Sequence, residues 1–395
     1  MLPCVASTIC GLRYNSGVPA DRFGARLCID AIPLLVRSAG VKNYLYYWIA
    51  NLWKLSAPGR VQLFPRLAGL GELDHEHSAT SRWGTVTRLA LFHALNGRAS
   101  RLVRWTLPDA DIFHATKLLY PPHRARLTAT VYDATCHLFP ELHTPANVRA
   151  ERVFTERILR RADGVIAISE STRCDAVKVL GLDPRRIRVI YPGIAEEYFQ
   201  IGPEEIAEAQ HYCRLERPYV LFVGTIEPRK NLGVLLDAYQ ALPQEIRDEF
   251  ELIVAGPVGW NSDTVLLRLR SAEPGVRHLG YVPEPLLPGL FGGATALAYV
   301  SLYEGFGFPV AQAMAAGVPV LTSAVSSLPE VTGDAAELVD PRSSVEIRDG
   351  LYRLLTSSSR RSSLAGAARR RAGRFRWEVC ASESLRFFET VAGRG

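Results

Sequence analysis

Apolar positions along this chain fall into two alternating rhythms. Short β-rich runs cover residues 26–32, 110–114, 127–132, 164–168 and 187–191, and longer stretches of helical spacing, such as 41–53 and 147–161, lie between them. This alternation predicts βα units and a parallel sheet. After Pro192-Gly193 the rhythm pauses in a polar segment containing Glu204, Glu205 and Glu208, then restarts with strand candidates at 219–224, 251–255, 294–300, 318–322 and 336–339. In the helix predicted over 231–242, Leu232, Leu235, Leu236, Tyr239 and Leu242 share one face. The fold class expected is α/β, with two Rossmann-like domains and ligands at the C-terminal ends of the strands. The boundaries read as a loose extension over 1–24, a first domain over 25–195, a linker over 196–218, a second domain over 219–376 and a last helix over 377–395.

Composition narrows the class. With 395 residues, 48% hydrophobic and 22% charged, the chain suits two soluble domains and excludes wholesale disorder. No apolar run reaches the ~20 residues of a spanning helix. The seven cysteines include no CxxC pair, and no basic residue precedes the first apolar stretch, so reduced thiols in a cytoplasmic protein are expected. A net charge of +6 permits an anionic partner without calling for nucleic acid.

Two constellations carry candidate chemistry, each running from a strand into a helix. In the first, Val223, Gly224, Thr225, Ile226, Glu227, Pro228, Arg229, Lys230 and Asn231 are consecutive. Gly224 permits a close turn, Asn231 is placed to cap the helix, and Arg229 and Lys230 stand beside its positive end, which outlines a phosphate site. The plain alternative is a solvated basic turn. In the second, Ser301 to Met314, Gly305 and Gly307 permit a tight loop with free amides and Pro309 suits a first helical turn. Glu304 could accept hydrogen bonds from sugar hydroxyls, and Gln312, two turns into the helix, could reach a ribose.

These stretches, with Arg277 to Pro283 and Leu328-Pro329-Glu330-Val331, resemble the donor-binding domain of retaining glycosyltransferases of family 4, which have the two-Rossmann-domain GT-B architecture. The first half is similar more loosely, through Cys28-Ile29-Asp30-Ala31 with Gly40, Asp111 to His114, Thr130 to Glu141 and Ala162 to Arg173. The resemblance implies that Arg229 and Lys230 hold a donor diphosphate. It places the transferred hexose on Glu304, Gly305 and the backbone of Phe306, Gly307 and Phe308, and the base beside Tyr281 and Val282. It also implies that the last helix, from Trp377, returns to the first domain. The chain departs from the family pattern twice: Gln312 replaces the second glutamate of Glu-x7-Glu, and Tyr132-Asp133 stands where many relatives have His-Asp. Tyr132 either faces the donor or packs at a strand end, and Asp133 or a backbone carbonyl takes over the histidine's place.

The resulting expectation is transfer of a hexose, mannose or glucose, with retention. The donor is a GDP- or UDP-linked sugar, the acceptor a saccharide or lipid-linked saccharide, with no metal and no cofactor. Rival readings on the same frame are a sugar-nucleotide epimerase, a phosphorylase, or a nucleotide-sugar-binding protein without turnover. Ser169 either caps a helix or touches the cleft from the acceptor side. The arginines at 360, 361, 369, 370, 371, 374 and 376 form either a solvated face or a docking surface for anionic lipid at the inner face of a membrane. The aromatic stretch of Tyr44, Tyr46, Tyr47, Trp48 and Trp53 either packs into the core or shares that job. Asp109-Ala110-Asp111 and Asp74-His75-Glu76-His77 are weak metal patterns, read as a strand start and a polar loop.

Overall fold

A computed structural model describes residues 23–393, apart from 37–39, 68, 72, 74–76, 79, 98–99, 123 and 272. Most of the Asp74 to His77 pattern, and nearly all of the 1–24 extension, thus lie outside the described residues. Phe23 is already buried, and the Gly24 amide donates to Glu389 at 2.6 Å.

The first sheet contains β1 (Leu27–Asp30), β2 (Val61–Phe64), β3 (Ile112–Ala115), β4 (Arg126–Val131), β5 (Gly164–Ala167) and β6 (Ile187–Val189), in the order β2-β1-β3-β4-β5-β6. The second contains β7 (Tyr219–Val223), β8 (Glu251–Ala255), β9 (Val276–Gly280), β10 (Ala296–Tyr299), β11 (Val320–Ser323) and β12 (Glu337–Val339), in the order β12-β11-β10-β7-β8-β9. All neighbouring strands are parallel. Strand order reverses between β7 and β10, and the loops leaving those two strands are the two constellations. Ligands of doubly wound sheets bind at such a point.

Between the domains, residues 196–218 are more than a linker. They hold the helix Pro203–Cys213, which packs against helix Leu287–Gly292 so closely that a Cβ on Gly289 would lie 2.0 Å from the Glu205 carbonyl oxygen. The chain then returns as expected. Helix Trp377–Val391 lies along helix Gly40–Leu55, where the Trp48 indole donates to Ser384 at 2.9 Å and Trp377 stacks on Tyr47 at 5.8 Å. Tyr44 and Trp48 are fully buried by this packing, and Tyr46, Tyr47 and Trp53 are partly buried against the same core.

Five of the seven C-terminal arginines make contacts within the chain, although Arg360 and Arg369 stay exposed, as do Arg370 and Arg374. Arg360 pairs with Glu337, Arg369 donates to the Phe199 carbonyl at 2.7 Å, Arg371 to those of Glu330 and Val331 at 2.6 and 2.8 Å, and Arg361 to those of Leu354 and Leu355 at 2.7 Å. Arg376 lies over the Phe199 ring. Asp109 and Asp111, the other metal pattern, pair with Arg26 at 3.1 and 3.0 Å. Among the described residues no helix is long and apolar enough to cross a membrane.

Candidate functional site

A cavity of about 750 Å³ lies between the two sheets, within the range of small-molecule sites. One wall holds the residues nominated for the donor: Gly224, Thr225, Arg229, Lys230, Tyr281, Val282, Glu304, Gly305, Phe306, Gly307, Phe308 and Gln312. Gly40, Tyr132 and Asp133 line the opposite wall.

The donor wall is built by stapling the loops after β7 and β10 together. Asn231, in a left-handed backbone conformation, does not cap its helix with its side chain. Its amide instead donates to the Val300 and Pro341 carbonyls at 3.0 and 2.7 Å. The Leu302 amide donates to the Arg229 carbonyl at 2.9 Å. Gly256 approaches Gly224 so closely that a Cβ would lie 2.1 Å from its carbonyl oxygen.

Across this staple the charges meet. Glu304 accepts from Lys230 at 2.7 Å, Ser301 at 2.7 Å and Tyr299 at 2.9 Å through Oε1, and pairs with Arg229 at 2.9 Å through Oε2. Arg229 also pairs with Glu227 at 2.6 Å and donates to the Tyr303 carbonyl at 2.8 Å. Both Glu304 oxygens thus fix the two cations, while its side chain stays on the cavity lining. Burial alone would raise the Glu304 pKa, but Arg229 and Lys230 outweigh it and hold it down to about 2. Burial also opposes the Arg229 charge, yet Glu304 and Glu227 hold its pKa above the ordinary value. The Lys230 ammonium goes the other way, lowered by burial and by the neighbouring Arg229 despite Glu304. An arriving anion would favour its charged form.

On the opposite wall, Gly305 sits against Tyr132. A Cβ at Gly305 would lie 1.8 Å from the Tyr132 carbonyl oxygen. The Tyr132 ring packs edge-on against Tyr44 at 5.3 Å and its hydroxyl oxygen is buried, so the strand-end packing holds and that hydroxyl does not reach the cavity. Asp133 accepts from the Thr135 amide at 3.0 Å and from its hydroxyl at 2.6 Å. Ser169 is a correction: it is fully buried and accepts from the Thr172 amide at 3.0 Å, so it caps a helix and does not line the cavity.

Sequence reasoning passed over Glu227, Tyr299, Asn147 and the Gly256-Pro257-Val258-Gly259-Trp260 loop, all of which line the cavity. That loop follows β8 at the end where ligands bind, and its two glycines were the available signal. Trp260 reaches across the cleft, donating from its indole to the Leu142 carbonyl at 2.7 Å.

Residues 204–371 match the family profile of Glycosyl transferases group 1, and residues 40–198 that of Glycosyltransferase Family 4. The O-antigen chain mannosyltransferase B of Escherichia coli is 33% identical over 73% of this chain and 77% of its own length. A D-inositol 3-phosphate glycosyltransferase of Salinispora arenicola is 31% identical over 96% of this chain and 85% of its own. Among solved structures, Anabaena HepE in complex with UDP-glucose aligns with a TM-score of 0.67 at 18% identity, covering 93% of this chain and 100% of that one. WaaG, a glycosyltransferase involved in lipopolysaccharide biosynthesis, aligns at 0.65 and 16%, covering 93% and 100%. At these identities the likeness bears on the fold, which is GT-B.

Proposed function

Because the chain belongs to the group 1, family 4 glycosyltransferases, we propose that it transfers mannose, from a GDP-linked donor, to a saccharide or lipid-linked saccharide with retention of the α configuration. The observation that carries this reading is the pair Arg229 and Lys230, fixed by Glu304 on the wall of the cavity at the strand-order reversal. Similarity to an O-antigen mannosyltransferase favours mannose, with glucose and a UDP-linked donor as the competing pair.

Transfer breaks the bond from the sugar's anomeric carbon to the diphosphate oxygen and forms one to an acceptor hydroxyl oxygen. The acceptor proton passes to the departing phosphate on the same face, which accounts for retention. Negative charge grows on the leaving group, and two pre-positioned cations stabilise it where charge develops. The amides of Phe306, Gly307 and Phe308 receive the hexose hydroxyls, and Glu304 acts as a positioning residue. With two fixed cations balancing the diphosphate, turnover is expected to survive chelators.

Thermal shift with GDP, UDP, dTDP and ADP identifies the base, since saturation at a hundred times Kd stabilises by roughly 2.7 kcal/mol. Lys230→Ala should lower kcat by about a hundredfold or more. A variant with unchanged turnover would overturn the assignment, and so would product formed without acceptor or at the expense of orthophosphate. Gln312→Glu, assayed across the four nucleotides, is expected to change the base and ribose preference. A lipid-linked acceptor would bring the enzyme to a membrane surface as a peripheral protein.

A further inference from the structure

Once the donor has its wall, part of the cavity lining is left over. Asn43, Asp133 and Asn147 stand on the first domain's side, and Val258 and Trp260 on the second's. Trp260 is set in place by its own loop. Val258 bridges to Ile226, the Gly259 amide donates to the Ile226 carbonyl at 3.0 Å, and a Cβ on Gly259 would lie 2.7 Å from the Thr225 side chain. The indole is then held at its edge by the bond to the Leu142 carbonyl, with the His143 ring 6.1 Å away and tilted by 34°. It stays partly exposed and lines the cavity. Across from it, among the described residues, the side-chain amides of Asn43 and Asn147 make no hydrogen bond, and Asp133 commits Oδ1 alone, to Thr135.

We infer that Trp260 is a platform for the acceptor: the pyranose ring of the acceptor saccharide lies on the indole, with its hydroxyls turned toward Asn43, Asn147 and Asp133. The inference rests on the transfer reading above and adds a specificity-determining residue that the donor-binding domain lends to the acceptor. A pyranose has an apolar face of C–H groups and a rim of hydroxyls. One aromatic face, together with side chains that donate and accept, is therefore suited to recognise it. The leftover lining is divided in that sense, with Val258 and the indole on one side and two amides and a carboxylate on the other. A contact that served only to join the domains would use the indole N–H and cover the ring with protein, whereas this ring is left on the cavity. The bond to Leu142 fixes the ring plane before the sugar arrives, which reduces the ordering cost of binding. The platform is carried by one domain and oriented by the other, so the acceptor site is complete only while the cleft is closed.

The test is steady-state transfer to methyl α-mannoside from the nucleotide sugar that thermal shift selects, with the melting shift produced by the nucleoside diphosphate as the check on folding. Trp260→Ala should raise acceptor KM about tenfold or more, with donor KM and the melting shift as in the wild type. Trp260→Phe keeps a ring but loses the bond to Leu142, and should raise acceptor KM by no more than about threefold. Asn147→Ala should also raise acceptor KM and leave donor KM unchanged. Saturation-transfer NMR of methyl α-mannoside with the nucleotide-loaded chain reads the site without turnover, and its signal should disappear in Trp260→Ala. A wild type that binds the mannoside through Trp260 yet forms no transfer product would count against glycosyl transfer and leave the platform standing. The proposal is overturned by an unchanged acceptor KM in Trp260→Ala, by absence of mannoside binding in the wild type, or by a rise in donor KM as large as that in acceptor KM. Equal losses in Trp260→Phe and Trp260→Ala would make the residue a bridge between domains and also overturn it.

Discussion

Glu304 and Glu151 are carboxyl groups displaced in opposite directions, and their effects on stability have opposite signs. The Glu304 pKa in the folded chain lies at about 2, below its ordinary 4.5, so the stability it contributes is full above 4.5 and is lost as pH falls toward 2. Glu304→Gln leaves the buried Lys230 without its counter-charge and Arg229 with Glu227 alone, and should cost about 3–5 kcal/mol in denaturant melts at neutral pH. Burial, and then Asp133, push Glu151 up to about 7. There the folded state holds its proton while the unfolded state has released it, so stability falls as pH rises from 4.5 to 7. Glu151→Gln should flatten that part of the Tm profile and raise Tm at alkaline pH. At Gly305, with 1.8 Å between an added Cβ and the Tyr132 carbonyl oxygen, Ala forces the two walls apart. Donor KM should rise with little loss of Tm; an unchanged KM would show that the contact yields freely. The donor-wall residues were legible in the sequence because glycines and cations at strand ends leave a local signature. At Ser169 the sequence leaves cap and cleft open, because a serine opening a helix has the same signature whether it serves an amide or a ligand. The commitment of Glu304 to two cations was not legible, since it depends on loops 74 positions apart.

At the scale of elements, β7, β8 and β10 could be read because their apolar runs are continuous, whereas Val61–Phe64 alternates and Val276–Gly280 carries Arg277 and His278. The two most informative pairings have no local trace. Helix Pro203–Cys213 looks like a polar linker until Gly289 admits its backbone, and helix Trp377–Val391 completes a core begun by Gly40–Leu55. Truncating Trp48 at that seam should cost about 3–5 kcal/mol. A urea titration of Trp48→Ala reads this as a lower midpoint with similar slope. The C-terminal arginines show how a charge pattern underdetermines its role: the same run without acids could face lipid or donate to carbonyls, and the choice is made by loops far away in sequence.

For the whole molecule, the cleft is held by contacts reaching from one domain to the other. Glu330 accepts from the amides of Glu170 and Ser171 at 2.7 and 3.0 Å and from the Tyr191 hydroxyl at 2.6 Å, Thr172 donates to the Gly305 carbonyl at 3.2 Å, and Tyr303 donates to Asp175. Hydrogen bonds to a charged acceptor are roughly twice as strong as neutral ones. Glu330→Gln should therefore loosen closure, visible as a larger radius of gyration in solution scattering and a higher donor KM, with kcat less affected. The seam between Trp48 and Ser384, 336 positions apart, also bears on how the chain is made. At 5–20 residues per second, the ribosome delivers the second partner roughly 17–70 seconds after the first. The domain that is translated first is thus finished last. Until then its largest buried indole has no cover, and a chain halted before Trp377 emerges should be a client of chaperones even though both sheets are complete.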